Sequence, residues 1–117
     1  MKVIHLYTGP DGESHLEDIE IPLEEKGGYV LQSKTMKPTG VFLRKELAGY
    51  RHEWHNASHR QFVITLEGGE GEVEIGDGTK RRFKFGDILW AEDITGRGHI
   101  SSVVGNEPWN MIVVTLD

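Results

Sequence analysis

The chain has 117 residues, room for one domain with its own core and little more. It contains no cysteine, which excludes disulfides and thiolate metal sites, and 19 acidic against 13 basic residues give a net charge of -6 that argues against a nucleic-acid partner. Fifteen glycines are spread along it without low-complexity segments, as expected of many short elements joined by turns.

Lys2 to Tyr7 reads as a first strand, broken by Thr8-Gly9-Pro10-Asp11-Gly12. The apolar run is too short and polar for a signal peptide or a membrane span, so a cytoplasmic protein with no membrane partner is expected. Leu16 to Ile21 alternates acidic and apolar residues until Pro22 stops it. Pro22-Leu23-Glu24-Glu25-Lys26, ending at Gly27-Gly28, is the one helix-like fragment and reads as a single turn. Val41 to Leu47 is a strand closed by Gly49, and Phe62 to Leu66 is an apolar one.

The clearest piece is Glu72 to Gly76, then Asp77-Gly78, then Thr79 to Phe85, which predicts a hairpin with a type I′ turn. Val73, Ile75, Phe83 and Phe85 share one face of it, and Glu72, Glu74, Arg82 and Lys84 the other. Lys80-Arg81-Arg82 lies within these alternating faces and reads as a solvated edge rather than a nucleic-acid patch. Ile88 to Ala91 and Met111 to Leu116 are apolar without alternation and so need cover on both sides. The covering layer is either the N-terminal strands or a second copy of the chain, hence an expected homodimer. Nine or ten short strands in all predict an all-β jelly roll or related barrel.

The chemistry concentrates between His52 and Gln61, which holds three of the six histidines. In a straight strand His55 and Gln61 would lie roughly 20 Å apart. Asn56-Ala57-Ser58 is a turn-prone segment that bends the chain back, so that His55 ends one strand while His59 and Gln61 point to one face of the next. His59 and Gln61 then join His55 around one hollow, with Arg60 alternating away.

This window resembles the first motif of the cupin family. Gly49, His55 at the first histidine position, Gln61 at the acid position and Gly68 match it, and Gly86-Asp87-Ile88-Leu89 with His99 resembles the second motif. The resemblance spans about Val41 to Leu116. It implies a double-stranded β-helix over residues 41–117, with residues 1–40 as extra N-terminal strands packing on the barrel or on a dimer partner. It also implies a divalent metal (zinc, iron, nickel or manganese) held by His55, His59, Gln61 and His99. The departures are that Ala57 stands where the second histidine belongs, Gln61 replaces the carboxylate, and Glu92 stands where proline is usual.

Trp54 and Trp90 flank the motifs and, with Gln61, are candidate ligand-binding residues. His99 with Glu92 (or Asp93) is the candidate acid–base pair, and Arg44 or Arg97 suits an anionic substrate. Trp109 reads as core or dimer contact. Three readings follow: a metal-dependent cupin enzyme of oxygenase, isomerase or lyase type acting on a small metabolite, a metal-free binding or sensing module, and a metal-free acid–base catalyst.

Overall fold

The structure, a computed structural model, describes all 117 residues. Twelve strands run β1 (Lys2–Thr8), β2 (Ser14–Glu20), β3 (Glu24–Lys26), β4 (Val30–Gln32), β5 (Gly40–Glu46), β6 (Arg51–His55), β7 (Gln61–Thr65), β8 (Glu70–Glu74), β9 (Lys80–Phe83), β10 (Ile88–Glu92), β11 (His99–Val104) and β12 (Trp109–Thr115). A six-stranded sheet in the order β2-β1-β10-β7-β12-β5 faces a four-stranded sheet, β6-β11-β8-β9, and β3-β4 forms a separate hairpin. No helix is long and apolar enough to cross a membrane. The architecture is an all-β jelly roll, as the strand spacing predicts.

Period-two alternation sorts the side chains. Leu89 and Ala91 of β10, Val63 of β7, and Met111 and Val113 of β12 turn inward from the large sheet. They meet Val73, Ile75 and Phe83 of the β8–β9 hairpin. Phe83 and Leu6 are fully buried, each contributing about 1.5–3 kcal/mol. The apolar strands that lack alternation turn their second faces outward, where Phe62, Ile64, Ile88 and Val114 meet Leu23, Leu31 and Met36 of the N-terminal segment along an apolar groove.

The N-terminal strands are members of the large sheet. β1 runs parallel to β10, pairing Leu6 with Ala91, and β2 runs antiparallel to β1.

Three local expectations are corrected. The fragment around Glu24–Lys26 is a strand, not a helical turn, because Gly27 and Gly28, at φ of +77° and +89°, reverse the chain and pair Lys26 with Val30. The Asp77-Gly78 hairpin forms with Glu72 opposite Arg82, but its turn is not type I′. Only Gly78 has positive φ, its N–H donates to the Ile75 carbonyl, and Ile75 and Thr79 pair behind it, a type I turn followed by a glycine bulge. Asp77 is thereby free to accept the Thr79 N–H at 2.8 Å, which holds its carboxyl below the usual carboxylate range. Finally, Phe85 does not share the buried face of Phe83. β9 ends at Phe83, and Phe85 is 66% exposed beyond it.

Candidate functional site

Between the two sheets lies a cavity of about 240 Å³. Val63, Val73, Leu89, Ala91, Trp109, Met111 and Val113 make its apolar wall, and Arg44, Glu46, Tyr50, His52, His55, Gln61, His99 and Ser101 its polar side. That volume suits a ligand of on the order of ten non-hydrogen atoms.

His99 opens β11 and is 6% exposed. Its Nδ1 lies 2.6 Å from Asp93 Oδ2. A carboxylate only accepts, so Nδ1 carries the proton and Nε2 is the free nitrogen at the cavity. Asp93 is completely buried just past β10, also accepts the Ser14 hydroxyl at 2.8 Å, and leaves Oδ1 without a partner. A buried carboxylate bonded to an imidazole fixes the ring's orientation and tautomer.

His55, the last residue of β6, pairs with His99 across the small sheet, their ring centroids 4.4 Å apart. Its Nδ1–H donates to the Glu53 carbonyl at 2.7 Å. Burial holds the His55 imidazole below its usual pKa; the Glu53 carbonyl opposes this, and the neighbouring His99 and His52 reinforce it.

His52 also lines the cavity, although it is three residues from His55 on the same strand. A bulge accounts for this: His99 pairs with His55 but Ser101 pairs with His52, so β6 carries one extra residue. The two imidazoles stack at 3.5 Å and 4°.

Among solved structures the chain is similar to a cupin-like protein from Thermotoga maritima, at 21% identity over 64% of this chain and 54% of that one, with a TM-score of 0.53. It spans about half the length of that protein. A protein from Neisseria meningitidis aligns at 18% identity over 66% of this chain and 72% of that one, with a TM-score of 0.49. No protein-family description and no curated protein matches the chain. The fold is a cupin barrel.

In this cupin barrel the expected bend at Asn56-Ala57-Ser58 is present. Asn56 Nδ2 donates to the carbonyls of Thr95 and Gly96, and the Ala57 N–H to that of Asp93. The bend brings His55, Gln61 and His99 to one cavity, with Ala57 filling its histidine position by a buried methyl.

It does not bring His59. β7 begins at Gln61, so strand parity does not extend back to His59, whose Nδ1–H donates to the Asp117 carbonyl at 2.8 Å on the surface. Arg60 is outside too, its guanidinium 2.7 Å from Asp117 and 3.5 Å from Glu92, and it holds the Asp117 carboxyl below the usual range.

Glu92, expected as the acid–base partner, faces away from the cavity. In β10 the inward positions are Leu89 and Ala91, so Trp90 and Glu92 turn outward, where Glu92 lies 2.6 Å from His5 Nε2. Trp90 packs at a tilt against His5 and Phe62 on that outer face rather than lining the cavity. Trp54 is outside as well, 39% exposed under the Arg97 guanidinium at 4.4 Å. Arg97 pairs with Glu13, whereas Arg44 reaches the cavity, bonded to Glu46 at 2.8 Å. Trp109 is core, its indole N–H donating to Thr65.

Of the four expected ligands, His55, Gln61 and His99 reach one cavity and His59 does not. No group of three or more His or acidic side chains is disposed to hold an ion. The stacked rings of His52 and His55 direct their in-plane lone pairs along parallel planes, whereas ligands of one ion converge on it at about 2 Å. The remaining donors are Gln61, which supplies a neutral amide oxygen, and His99, whose Nε2 is free.

Proposed function

We propose that the chain binds a compact polar metabolite in the barrel cavity and that His99 moves a proton to or from it, the metal-free acid–base reading. The observation that carries this is the buried Asp93–His99 contact at 2.6 Å beside the cavity. With Nδ1–H donated to Asp93, Nε2 has the lone pair to take a proton from a carbon or hydroxyl of the ligand. The imidazolium that results sits against the Asp93 carboxylate, whose negative charge repays the cost of burying it. Return of the proton to a neighbouring atom, or to the other face of the same one, completes an isomerisation or epimerisation. Arg44 at the rim supplies a cation for an anionic group, and Gln61 an amide to orient a carbonyl or hydroxyl.

The test is hydrogen exchange in heavy water with a panel of small keto acids and keto sugars, followed by proton NMR. The wild-type chain should wash out a C–H signal from at least one of them, and His99→Ala should slow this by about 10²–10⁴-fold. Equal exchange in His99→Ala, or none from any compound, rejects the reading. Metal analysis of protein purified without chelating resin decides against the metal-dependent reading or for it. One equivalent of zinc, iron, nickel or manganese, lost in both His55→Ala and His99→Ala, would put the metal in charge of the chemistry.

A further inference from the structure

Two charged residues of the cavity wall take no part in moving the proton. Arg44 and Glu46 lie opposite Met111 and Trp109 of β12, at alternate positions of β5, so both turn inward to the cavity. The Glu46 side chain is 9% exposed, and its Oε2 accepts the Arg44 Nε–H at 2.8 Å. Oε1 meets no donor and no solvent. A carboxylate oxygen in that state is costly, because it has given up water and gained no bond in return. Arg44 has donors to spare as well. One Nη lies 3.4 Å from the Tyr50 hydroxyl, a long contact, and the guanidinium carries further N–H groups.

On the proposed reading of the cavity as a ligand site, on which this depends, we infer that Glu46 selects the ligand by accepting a hydrogen bond from one of its hydroxyls. The terminal torsion of a glutamate is broad, so a small rotation turns Oε1 to the ligand while Oε2 keeps Arg44. Of the groups that can approach such a pair, only one satisfies both members. A carbonyl or carboxylate accepts from Arg44 but leaves Oε1 bare. An ammonium donates to Oε1 but takes nothing from Arg44 and sets a like charge beside it. A hydroxyl donates to Oε1 and accepts from a free Nη–H at once.

That hydroxyl lies away from the reacting atom. The Val103 N–H donates to the Tyr50 carbonyl, which sets Tyr50 four residues along β11 from His99, about 13 Å of strand. The Arg44 guanidinium carbon is 6.0 Å from the centre of the Tyr50 ring, so the Arg44–Glu46 pair belongs to that end of the cavity. The ligand class is therefore a hydroxylated carbonyl compound. Its carbonyl and acidic C–H sit at His99, and a hydroxyl further along the chain sits at Glu46. Keto sugars have this pattern; keto acids without a hydroxyl do not.

Pentitols test this apart from the chemistry, because they match the cavity in size and have no carbonyl to make a C–H acidic. In an NMR titration with xylitol, ribitol and arabinitol to millimolar concentration, at least one should bind the wild-type chain. One of its monodeoxy analogues should bind about 10–100-fold more weakly, having no hydroxyl for Glu46. In Glu46→Gln the amide oxygen must face Arg44, which turns a donor to the ligand. The variant should lose about 10–100-fold for the parent pentitol and no longer distinguish it from that analogue. Were Glu46 only a brace for Arg44, both compounds would weaken together and their ratio would stay. Should Glu46→Gln fail to fold, the carboxyl carbon signal of Glu46 in the wild-type chain reads the same contact: it should shift with the parent and not with that analogue. No pentitol bound, an unchanged ratio, or an unmoved carboxyl signal would each overturn the assignment. Keto-sugar exchange without pentitol binding would sink the role of Glu46 alone, whereas pentitol selectivity without exchange would sink the proton transfer alone.

Discussion

At the scale of single residues the site turns on Asp93. Replacing it with Ala removes the acceptor that fixes the His99 tautomer, so the ring is free to carry its proton on Nε2, the nitrogen the chemistry needs free. Asp93→Ala should therefore slow proton exchange by about 10²–10⁴-fold while costing about 1–3 kcal/mol of stability, and nitrogen-detected NMR of the His99 ring should show the Nδ1–H tautomer no longer dominant. An unaltered ring with lost activity would put the role of Asp93 elsewhere. His55 supports a second expectation. Its folded-state pKa is depressed by burial, so below its unfolded value near 6.5 the unfolded chain binds the extra proton and the folded state loses stability. The melting temperature should fall as pH drops through 6.5, and His55→Gln should flatten that decline; an equally steep decline in the variant would assign it to other groups. The sequence located His55 and Gln61 by spacing and the bend between them, and His99 through the cupin resemblance. It left Glu92 and Asp93 side by side as candidates, although the inward parity of Leu89 and Ala91 would have separated them. His52 was illegible, because no residue type marks the extra residue in β6 that turns two histidines of one strand to one side.

At the scale of elements, strand existence was legible and strand ends were not. Val73, Ile75 and Phe83 fell on the buried face by alternation, but Phe85 did not, since β9 stops where Lys84 N–H turns to Asp87. The same limit misplaced His59: parity was counted through a loop that belongs to no strand. Glycine identified the turns without fixing their type, because Asp-Gly fits both a type I′ pair and a type I turn with one glycine behind it. One glycine ties an element to the site. Gly98 has φ of +80°, and a β-carbon there would run into the His55 carbonyl. Gly98→Ala should cost about 2 kcal/mol or more and separate β11 from β6 where His99 pairs with His55, so that urea unfolding and the His99 ring signal shift together. A stable variant with an unmoved ring would show that the loop absorbs the change.

At the scale of the molecule, a barrel of residues 41–117 with an accessory N-terminal segment is the organisation the family resemblance implies, and truncation would test it. β1 inserts between β2 and β10, Ile4 and Leu6 sit in the core cluster with Leu16 packed on it, and Ser14 donates to the Asp93 oxygen that holds His99. Removing them strips β10 of its parallel neighbour and deletes two or three buried side chains at about 1.5–3 kcal/mol each, comparable to the 5–15 kcal/mol by which domains are stable. A chain of residues 41–117 should accordingly show a collapsed proton spectrum and no cooperative melt. Replacing the exposed hairpin Glu24–Gln32 with a short polar linker removes the one element that pairs with neither sheet, and should leave the melt cooperative and the His99 ring in place. A dispersed spectrum from residues 41–117 would instead make the first forty residues an addition to a self-sufficient barrel, and Asp93 would then have to hold His99 without Ser14.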